Sequence, residues 1–158
     1  RSTLFPYTTL FRSSYGQNFL IRKYGLPMKA VIPWRCYRFD EMDATHDTMF
    51  YQLEWLYVDK DISIANFKSI ITTFLSAILK KEVEIRMRPA FFPFVEPGFE
   101  IDARYDMVDP KTWAKQKSKW LEILGAGMVH ENVLKAAWVD ISEWWTGFAF
   151  WMWINRIA

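Results

Sequence analysis

The sequence predicts an α+β fold, in which an antiparallel β-sheet is flanked by helices that pack on one side of it. Two observations predict this fold. Several segments alternate apolar and polar side chains with the period of a strand, and one long segment repeats apolar residues at helical spacing.

The predicted strands share this alternation, or an enrichment in β-branched and aromatic residues. They cover residues 29–39, 49–59, 82–88, 98–105, 120–130 and 146–150. Pro33 indicates that the first strand lies at a sheet edge or contains a bulge. In the second strand, period-two alternation places Phe50, Gln52 and Glu54 on one face.

The remaining segments are predicted to be helices and loops. Ser63 can cap a helix that runs to about Lys80, a short helix covers residues 131–137, and another begins at Met152. Residues 89–97 contain three prolines and are interpreted as a stiff loop, and residues 109–119 as a polar connection. The two glycines within strand 120–130 indicate close approach of another backbone or of a ligand.

Composition excludes several classes of protein. The chain has 158 residues, 51% of them hydrophobic, and a formal net charge of +2. One domain of this size can bury a core, and the charge argues against a stand-alone nucleic-acid binder. The single cysteine, Cys36, excludes an internal disulfide framework and a multi-cysteine zinc site, and it is typical of a cytoplasmic protein. We expect no membrane span, no glycine-rich phosphate loop and no nucleophile elbow.

Both ends of the chain look cut. Residues 3–13 resemble the translation of a common sequencing-adapter oligonucleotide, so residues 1–13 are interpreted as a non-native segment. The chain stops at Ala158 within an apolar helical pattern that has no C-cap signal. We therefore expect a fragment of a longer protein.

Several motifs together resemble one family, the α subunit of bacterial phenylalanyl-tRNA synthetase, a class II aminoacyl-tRNA synthetase. They are RCYRFDEMDATH, FYQLE, RMRPAFFPFVEPGFEID, KWLEILGAGMVH, and TGFAF with INRIA. The Phe-rich FPFVEP stretch and the TGFAF–Arg ending are the most specific. The resemblance covers about residues 27–158, and it implies that residues 14–158 are part of a class II catalytic domain.

The resemblance implies four ATP-binding residues. Arg38 resembles the motif 2 arginine on the α-phosphate, and Arg156 resembles the motif 3 arginine on the γ-phosphate; these two would be catalytic. His46 would lie near the β- and γ-phosphates, where the alternative is a solvated loop histidine. Phe50 would stack on adenine.

The resemblance also implies a phenylalanine site, formed by Gln52, Glu54, Phe92, Phe94, Ala149, Ser14 and Gln17. Gln52 and Glu54 would hold the substrate amino group, since an ammonium needs acceptors. Phe92 and Phe94 would wall the pocket around the substrate ring, and Ala149 would form its floor.

Cofactors and partners follow from the same resemblance. The substrates would be ATP, phenylalanine and tRNA(Phe), with Mg²⁺ assisting. Glu96 resembles a carboxylate that shares a magnesium ion with a β subunit, although a hydrogen-bonded loop glutamate is an equal alternative. The implied assembly is an α2β2 heterotetramer in the cytoplasm, without a membrane partner.

The sequence departs from this family at its tryptophans. It has nine tryptophans and six glycines, where average usage predicts roughly eleven glycines. Tryptophan replaces family glycines at five positions: Trp34, Trp55, Trp138, Trp151 and Trp153. One of Trp144 and Trp145, and also Trp113, are further candidates, whereas Trp120 matches a family tryptophan. A gene whose UGA codons encode glycine, translated with a table that reads UGA as tryptophan, would produce this pattern.

Two alternatives remain open. The chain could be a non-catalytic paralogue that acts as a binding module, with its ATP site blocked by Trp151 and Trp153. It could also belong to another class II synthetase, such as the single-chain organellar type.

Overall fold

The computed structural model describes residues 14–37, 49–109, 111 and 113–154. Its helices are α1 (Ser14–Tyr24), α2 (Ile64–Leu79) and α3 (Glu131–Ala136), with a 3-10 turn at Ile141–Glu143. Its strands are β1 (Met28–Tyr37), β2 (Met49–Lys60), β3 (Val83–Phe92), β4 (Val95–Val108), β5 (Lys115–Lys117), β6 (Leu121–Val129) and β7 (Trp145–Trp153).

The described strands form one antiparallel sheet with the order β1-β2-β7-β6-β4-β3, and β5 pairs with β4 outside this path. The predicted antiparallel α+β architecture is therefore confirmed. β1 and β3 are the edges, which explains how Pro33 and Pro89 are accommodated, because an edge strand tolerates a missing backbone donor.

Helix α2 covers one face of the sheet, called here the rear face. Ser63 caps the helix as predicted: its hydroxyl accepts from the Asn66 backbone N–H, and the Asn66 side chain accepts from the Ser63 N–H. Phe67, Ile71 and Leu75 recur at helical spacing and are fully buried in the rear core. The partners of these residues in the sheet include alternate residues of β7, namely Phe148, Phe150 and Met152.

Helices α1 and α3 pack on the opposite face, called here the front face. Ile21 of α1 and Leu134 of α3 join a second buried cluster with Leu56, Val58 and Ala149 of the sheet. The prediction that helices lie on one side only was therefore wrong. The residues of α1 show only a weak apolar periodicity, which is why the sequence did not reveal this helix.

Residues 89–97 are not a loop, contrary to the prediction. β3 continues to Phe92 and β4 begins at Val95, so only Pro93 and Phe94 form the turn. Edge position accommodates Pro89, and the β4–β6 register shifts between Val95 and Gly98, where Pro97 would interrupt regular pairing.

Two further boundaries differ from the prediction. β7 extends through Trp153, so residues 152 and 153 are strand rather than the start of a helix. The polar connection also contains the short strand β5, which pairs with Asp106, Met107 and Val108 of β4.

Three tryptophans have a left-handed backbone. The φ values of Trp113, Trp138 and Trp144 are 55°, 66° and 62°. Their side chains are largely exposed, at 81%, 80% and 73%. A positive φ is a genuine outlier for a bulky residue and is typical of glycine.

Within the described residues, no helix is long and apolar enough to span a membrane.

Candidate active site

The centre of the site is a buried amide–carboxylate pair on β2. Gln52 and Glu54 point to the front face, as the alternation predicted, and each is 2% exposed. Nε2 of Gln52 donates a 2.8 Å hydrogen bond to Oε1 of Glu54. Among the described residues, none donates to Oε1 of Gln52. The pair therefore presents a buried acceptor, which is the chemistry that an ammonium group requires.

Helix α1 places a second buried amide on the same face. Gln17 lies one turn before Ile21, whose side chain packs in the front core, and Gln17 is only 3% exposed. Its Oε1 also has no hydrogen-bond donor among the described residues. Ser14 is the first residue of this helix, and the structure describes its backbone only.

Phe92 and Phe94 also lie on the front face and contact an indole. Their ring centroids are 6.3 Å apart, and the Trp151 ring lies 4.7 Å from Phe92 and 4.9 Å from Phe94. Both contacts with Trp151 are edge-on, with interplanar angles of 86° and 66°. The Trp151 side chain therefore lies against both phenylalanines on the front face, and their role as walls of a pocket stays a prediction.

The strand register explains why these residues meet. Trp151 of β7 is paired with Glu54 on one side and with Gly125 of β6 on the other. A Cβ at Gly125 would lie 2.5 Å from Cε2 of Trp151, so only glycine leaves room for the indole there. The sequence predicted the approach of a backbone or a ligand at this glycine, whereas the group that lies against it is the side chain of the chain's own tryptophan.

Ala149 lies two residues before Trp151 and is 1% exposed. It is paired with Leu56 of β2 and Gly127 of β6. A Cβ at Gly127 would meet the Pro97 carbonyl oxygen at 2.5 Å, so the second glycine of β6 also permits a close backbone approach. Ala149 thus lies beside a glycine in the sheet, and its role as the floor of a pocket stays a prediction.

Phe50 is also buried on the front face and contacts a second tryptophan near the end of β7, Trp153. Its ring centroid lies 5.2 Å from that of Trp153, with an interplanar angle of 54°. Gln52 is the strand partner of Trp153. The residue expected to stack on adenine thus packs against an indole.

Three predicted phosphate-binding residues, Arg38, His46 and Arg156, lie outside the described residues.

Glu96 lies at the start of β4 and, unlike Gln52 and Glu54, it is exposed. It is 77% exposed at the side chain, and its Oε2 lies 3.2 Å from Nε2 of His130. Within the described ranges, no three His, Cys, Asp or Glu side chains are grouped closely enough to hold a metal ion. Mg²⁺ often takes only one or two protein carboxylates, with waters and phosphates completing its shell. Glu96 could therefore supply one ligand but not a site by itself, and we derive no step through a metal there.

A charged cluster beside Trp151 was not predicted. An open groove of about 220 Å³ is lined by Glu100 and Glu122 together with Trp151 and Trp153. Arg88 lies 2.7 Å from Glu100 and 3.3 Å from Glu122. Alternation along GFEID could have placed Glu100 on the front face, but only the sheet order brings Glu122 beside it.

Arg88 also binds the buried carboxylate of Asp102, together with Arg86. Arg88 Nε lies 2.8 Å and Arg86 Nη2 2.5 Å from Oδ2 of Asp102, which is 3% exposed. Hydrogen bonding from Arg88, and then from Arg86, lowers the pKa of Asp102 below its ordinary value, although burial opposes that shift. The same carboxylate raises the pKa of Arg88. This cluster therefore keeps the edge of the groove charged.

Comparison with known proteins shows the family to which the chain belongs. The family described as tRNA synthetases class II core domain (F) matches residues 9–158. The phenylalanine–tRNA ligase α subunit of Leptospira biflexa serovar Patoc is 44% identical over 140 residues, covering 87% of this chain and 40% of the relative. The corresponding subunit of Paracoccus denitrificans is 48% identical over 135 residues, covering 85% and 37%. The chain thus spans about two fifths of the length of these relatives.

Solved structures share the fold at low sequence identity. A pyrrolysyl-tRNA synthetase structure from Desulfitobacterium hafniense superimposes with a TM-score of 0.53 at 16% identity, covering 96% of this chain and 45% of that chain. A second structure of pyrrolysyl-tRNA synthetase from this organism gives a TM-score of 0.55 at 13% identity, covering 91% and 45%. Since the family match extends over residues 9–158, the chain belongs to the class II tRNA synthetase core domain (F) family.

Proposed function

We propose that this chain is the catalytic core of a phenylalanine–tRNA ligase α subunit, which activates phenylalanine with ATP and transfers it to tRNA(Phe). The observation that carries the proposal is the buried Gln52–Glu54 pair, on the same face of the sheet as the rings of Phe92 and Phe94. A carboxylate and an amide oxygen suit the substrate ammonium, and a phenyl ring packs favourably edge-to-face against other rings. The relatives with this name support the choice of substrate.

The reaction has two steps. A carboxylate oxygen of phenylalanine attacks the α-phosphorus of ATP, the bond to the β-phosphate oxygen breaks, and phenylalanyl-adenylate and pyrophosphate form. A hydroxyl of the 3′-terminal adenosine of tRNA(Phe) then attacks the acyl carbon and AMP leaves. Neither step needs a covalent enzyme nucleophile, so positioning and charge stabilisation account for the catalysis.

The proposed roles follow the chemistry of each residue. Gln52, Glu54, Gln17 and Ser14 hold the amino acid, and Ala149 forms the floor of its pocket. The remaining roles concern ATP, with Phe50 at adenine and three cationic or ionisable residues at the phosphates: Arg38, His46 and Arg156. A guanidinium binds phosphate oxygens in a bidentate manner and stays charged throughout the reaction.

The proposed cofactor is Mg²⁺, which neutralises phosphate charge when it is bound. The proposed partner is a β subunit in an α2β2 assembly. Glu96 would contribute one carboxylate to a magnesium ion shared with that subunit, and its exposure leaves it accessible. Residues 14–158 would be the part of the catalytic domain that this chain contains, within a cytoplasmic enzyme.

The test is phenylalanine-dependent exchange of pyrophosphate into ATP by the full gene product, purified with its β subunit. The active form is expected to be the five-glycine variant that combines W34G, W55G, W138G, W151G and W153G. Exchange that depends on phenylalanine supports the proposal. Absence of exchange in a folded five-glycine variant that still binds the β subunit contradicts it.

A non-catalytic binding module is the second candidate function. The contact of Trp153 with Phe50 favours it, because this indole lies against the residue proposed to stack on adenine. On this interpretation Trp151 and Trp153 block the ATP site. ATP binding by the parent chain, measured calorimetrically, would exclude a blocked ATP site. Phenylalanine-dependent exchange of pyrophosphate by the five-glycine variant discriminates the two candidates, because a binding module would not form the adenylate.

A further inference from the structure

The indole of Trp151 occupies a defined place among the residues of the amino-acid pocket. It lies directly over Gly125, at whose position any Cβ would overlap the indole atoms. It is paired across the sheet with Glu54, and it is partly buried against the front core.

The contacts of this indole are those expected of an aromatic ligand. Phe92 and Phe94 both meet it edge-on, at centroid distances of 4.7 Å and 4.9 Å. This is the geometry that aromatic side chains prefer with one another. The walls of the pocket therefore already have an aromatic partner, and it is supplied by the chain itself.

The indole of Trp151 would compete for space with the ring of an aromatic amino acid bound near Glu54. In an aromatic amino acid, the ring is separated from the ammonium by only two carbon atoms. If the ammonium binds to Gln52 and Glu54, the ring must lie close to β2, between this pair and the two phenylalanines. Trp151 is the strand partner of Glu54, and its indole meets both phenylalanine rings, against which the ring of such a ligand would pack.

We propose that residue 151 determines access to the aromatic pocket. Tryptophan closes the pocket by acting as its internal occupant, and glycine opens it to the ring of an aromatic ligand. The inference deepens the proposed function and depends on it only for the identity of the ligand. The sequence predicted that Trp151 blocks the nucleotide site. On the present proposal it blocks the amino-acid pocket instead.

Loss of the indole would leave an apolar space walled by Phe92 and Phe94. Apolar cavities of about 150 Å³ in protein cores remain dry and bind small aromatic molecules. Indole is therefore the appropriate probe, since it is the side chain that W151G removes and it has neither ammonium nor carboxylate.

The experiment measures indole binding to the full gene product by calorimetry and by the shift in unfolding temperature. W151G is expected to bind indole at least tenfold more tightly than the parent protein. W138G is the matched control, because it makes the same substitution at a residue that is 80% exposed. Equal affinity for the parent, W138G and W151G would overturn the inference. W151A is a second variant that opens the pocket without glycine's backbone freedom, and it should bind indole as W151G does.

The parent protein offers a test that requires no variant. If Trp151 fills the pocket, phenylalanine should not raise the unfolding temperature of the parent, and a rise would overturn the inference. The two proposals fail differently. If W151G binds indole but the five-glycine variant does not activate phenylalanine, the proposed function fails and the role of residue 151 stands. If the parent itself activates phenylalanine, the role of residue 151 fails and the proposed function stands.

Discussion

Gln52 donates a 2.8 Å hydrogen bond to Glu54 in the interior of the front face, where each side chain is 2% exposed. The two residues are separated by one position along β2, so strand alternation alone places them side by side. A buried carboxylate is costly unless it is paired or hydrogen-bonded, so a change at either residue should affect the other. Glu54 is therefore the residue of this pair at which removal of the charge can be tested.

Glu54→Gln should reduce phenylalanine activation without unfolding the protein. The substitution preserves shape and the ability to accept one hydrogen bond, but it removes the charge that faces the ammonium. Hydrogen bonds to charged groups contribute about 1.5–3 kcal/mol, so we expect a roughly 10- to 150-fold loss in kcat/KM for phenylalanine. The measurement is pyrophosphate exchange in the five-glycine background. Glu143→Gln is the matched control, because Glu143 is exposed and pairs with Lys60 instead; equal losses in both variants would argue against a specific role for Glu54.

Trp144→Gly should stabilise the protein. Trp144 has a φ of 62° and is 73% exposed, so the substitution relieves left-handed strain and removes little packing. Left-handed backbone costs a non-glycine residue about 1–2 kcal/mol, part of which the flexibility of glycine in the unfolded chain offsets. A net gain of about 1 kcal/mol would raise Tm by roughly 2–4 °C. Trp138→Gly should gain less, because Trp138 also stacks on Arg22, whose guanidinium lies 4.1 Å from the ring centroid.

Trp120→Gly should change the unfolding temperature in the direction opposite to Trp144→Gly. Trp120 does not have a positive φ, and its ring lies between the guanidinium groups of Arg86 and Arg104, at 4.7 Å and 4.5 Å. Its removal should therefore lower Tm. If all three glycine variants shift Tm in the same direction, backbone strain does not explain the tryptophan positions.

Asp102→Asn should destabilise the protein at neutral pH and alter its response to acid. The folded-state pKa of Asp102 is lowered, first by the hydrogen bond from Arg88. A carboxyl with this shift stabilises the fold at pH above its unfolded-state pKa of about 3.9, and that contribution is lost as the pH falls through the folded value. Because the side chains of Arg86 and Arg88 are 48% and 41% exposed, the cost at pH 7 should be that of lost hydrogen bonds to a charged group, about 1.5–3 kcal/mol.

The measurement for this prediction is urea unfolding of the parent and Asp102→Asn between neutral and acidic pH. The difference in free energy of unfolding between them should begin to shrink below about pH 4, where the carboxyl of the unfolded chain becomes protonated, and it should be lost once the pH has fallen through the lowered pKa of the folded protein. Asp106→Asn is the control, since Asp106 is exposed and its pair with Lys117 should contribute under about 1 kcal/mol. A constant difference across the pH range would show that Asp102 acts through packing rather than charge.

Local patterns in the sequence predicted the elements that depend on local chemistry. Ser63 and the apolar spacing behind it predicted α2, and alternation predicted the face shared by Gln52 and Glu54. The β3–β4 turn was missed because the tolerance of Pro89 and Pro97 depends on an edge position and a register shift, which are properties of the whole sheet. Helix α1 was missed because its side chains carry little periodicity.

The occupant of the pocket could not be predicted from the sequence for a related reason. Glu54 and Trp151 are distant along the chain, and only the β2–β7 register places them opposite each other. The family resemblance indicated that a glycine was replaced at position 151, but it could not show where the indole would go. The roles implied for Arg38, His46 and Arg156 remain predictions, since these residues lie outside the described ranges.

Sequencing the encoding DNA at the codons of the nine tryptophans tests whether each tryptophan is real. If UGA encodes glycine in the source of this gene, UGA should occur at the five family glycine positions, Trp34, Trp55, Trp138, Trp151 and Trp153. The backbone extends the prediction, because Trp113 and Trp144 share the positive φ of Trp138. The structure also distinguishes Trp144 from Trp145. Trp145 lies in β7 without a positive φ, and the Lys60 ammonium is 4.3 Å from its ring centroid, so its codon should be UGG.

Trp120 is the internal control of the decoding hypothesis. Its ring contacts the guanidinium groups of Arg86 and Arg104, so its codon should be UGG. UGA at positions 113, 138, 144 and 151 with UGG at 120 and 145 would mean that the functional protein has glycine in the pocket, with room for a substrate ring. UGG at all nine positions would contradict the decoding hypothesis. The tryptophans would then be encoded as such, the indole of Trp151 would be a permanent occupant of the pocket, and the non-catalytic module would become the better account of the chain.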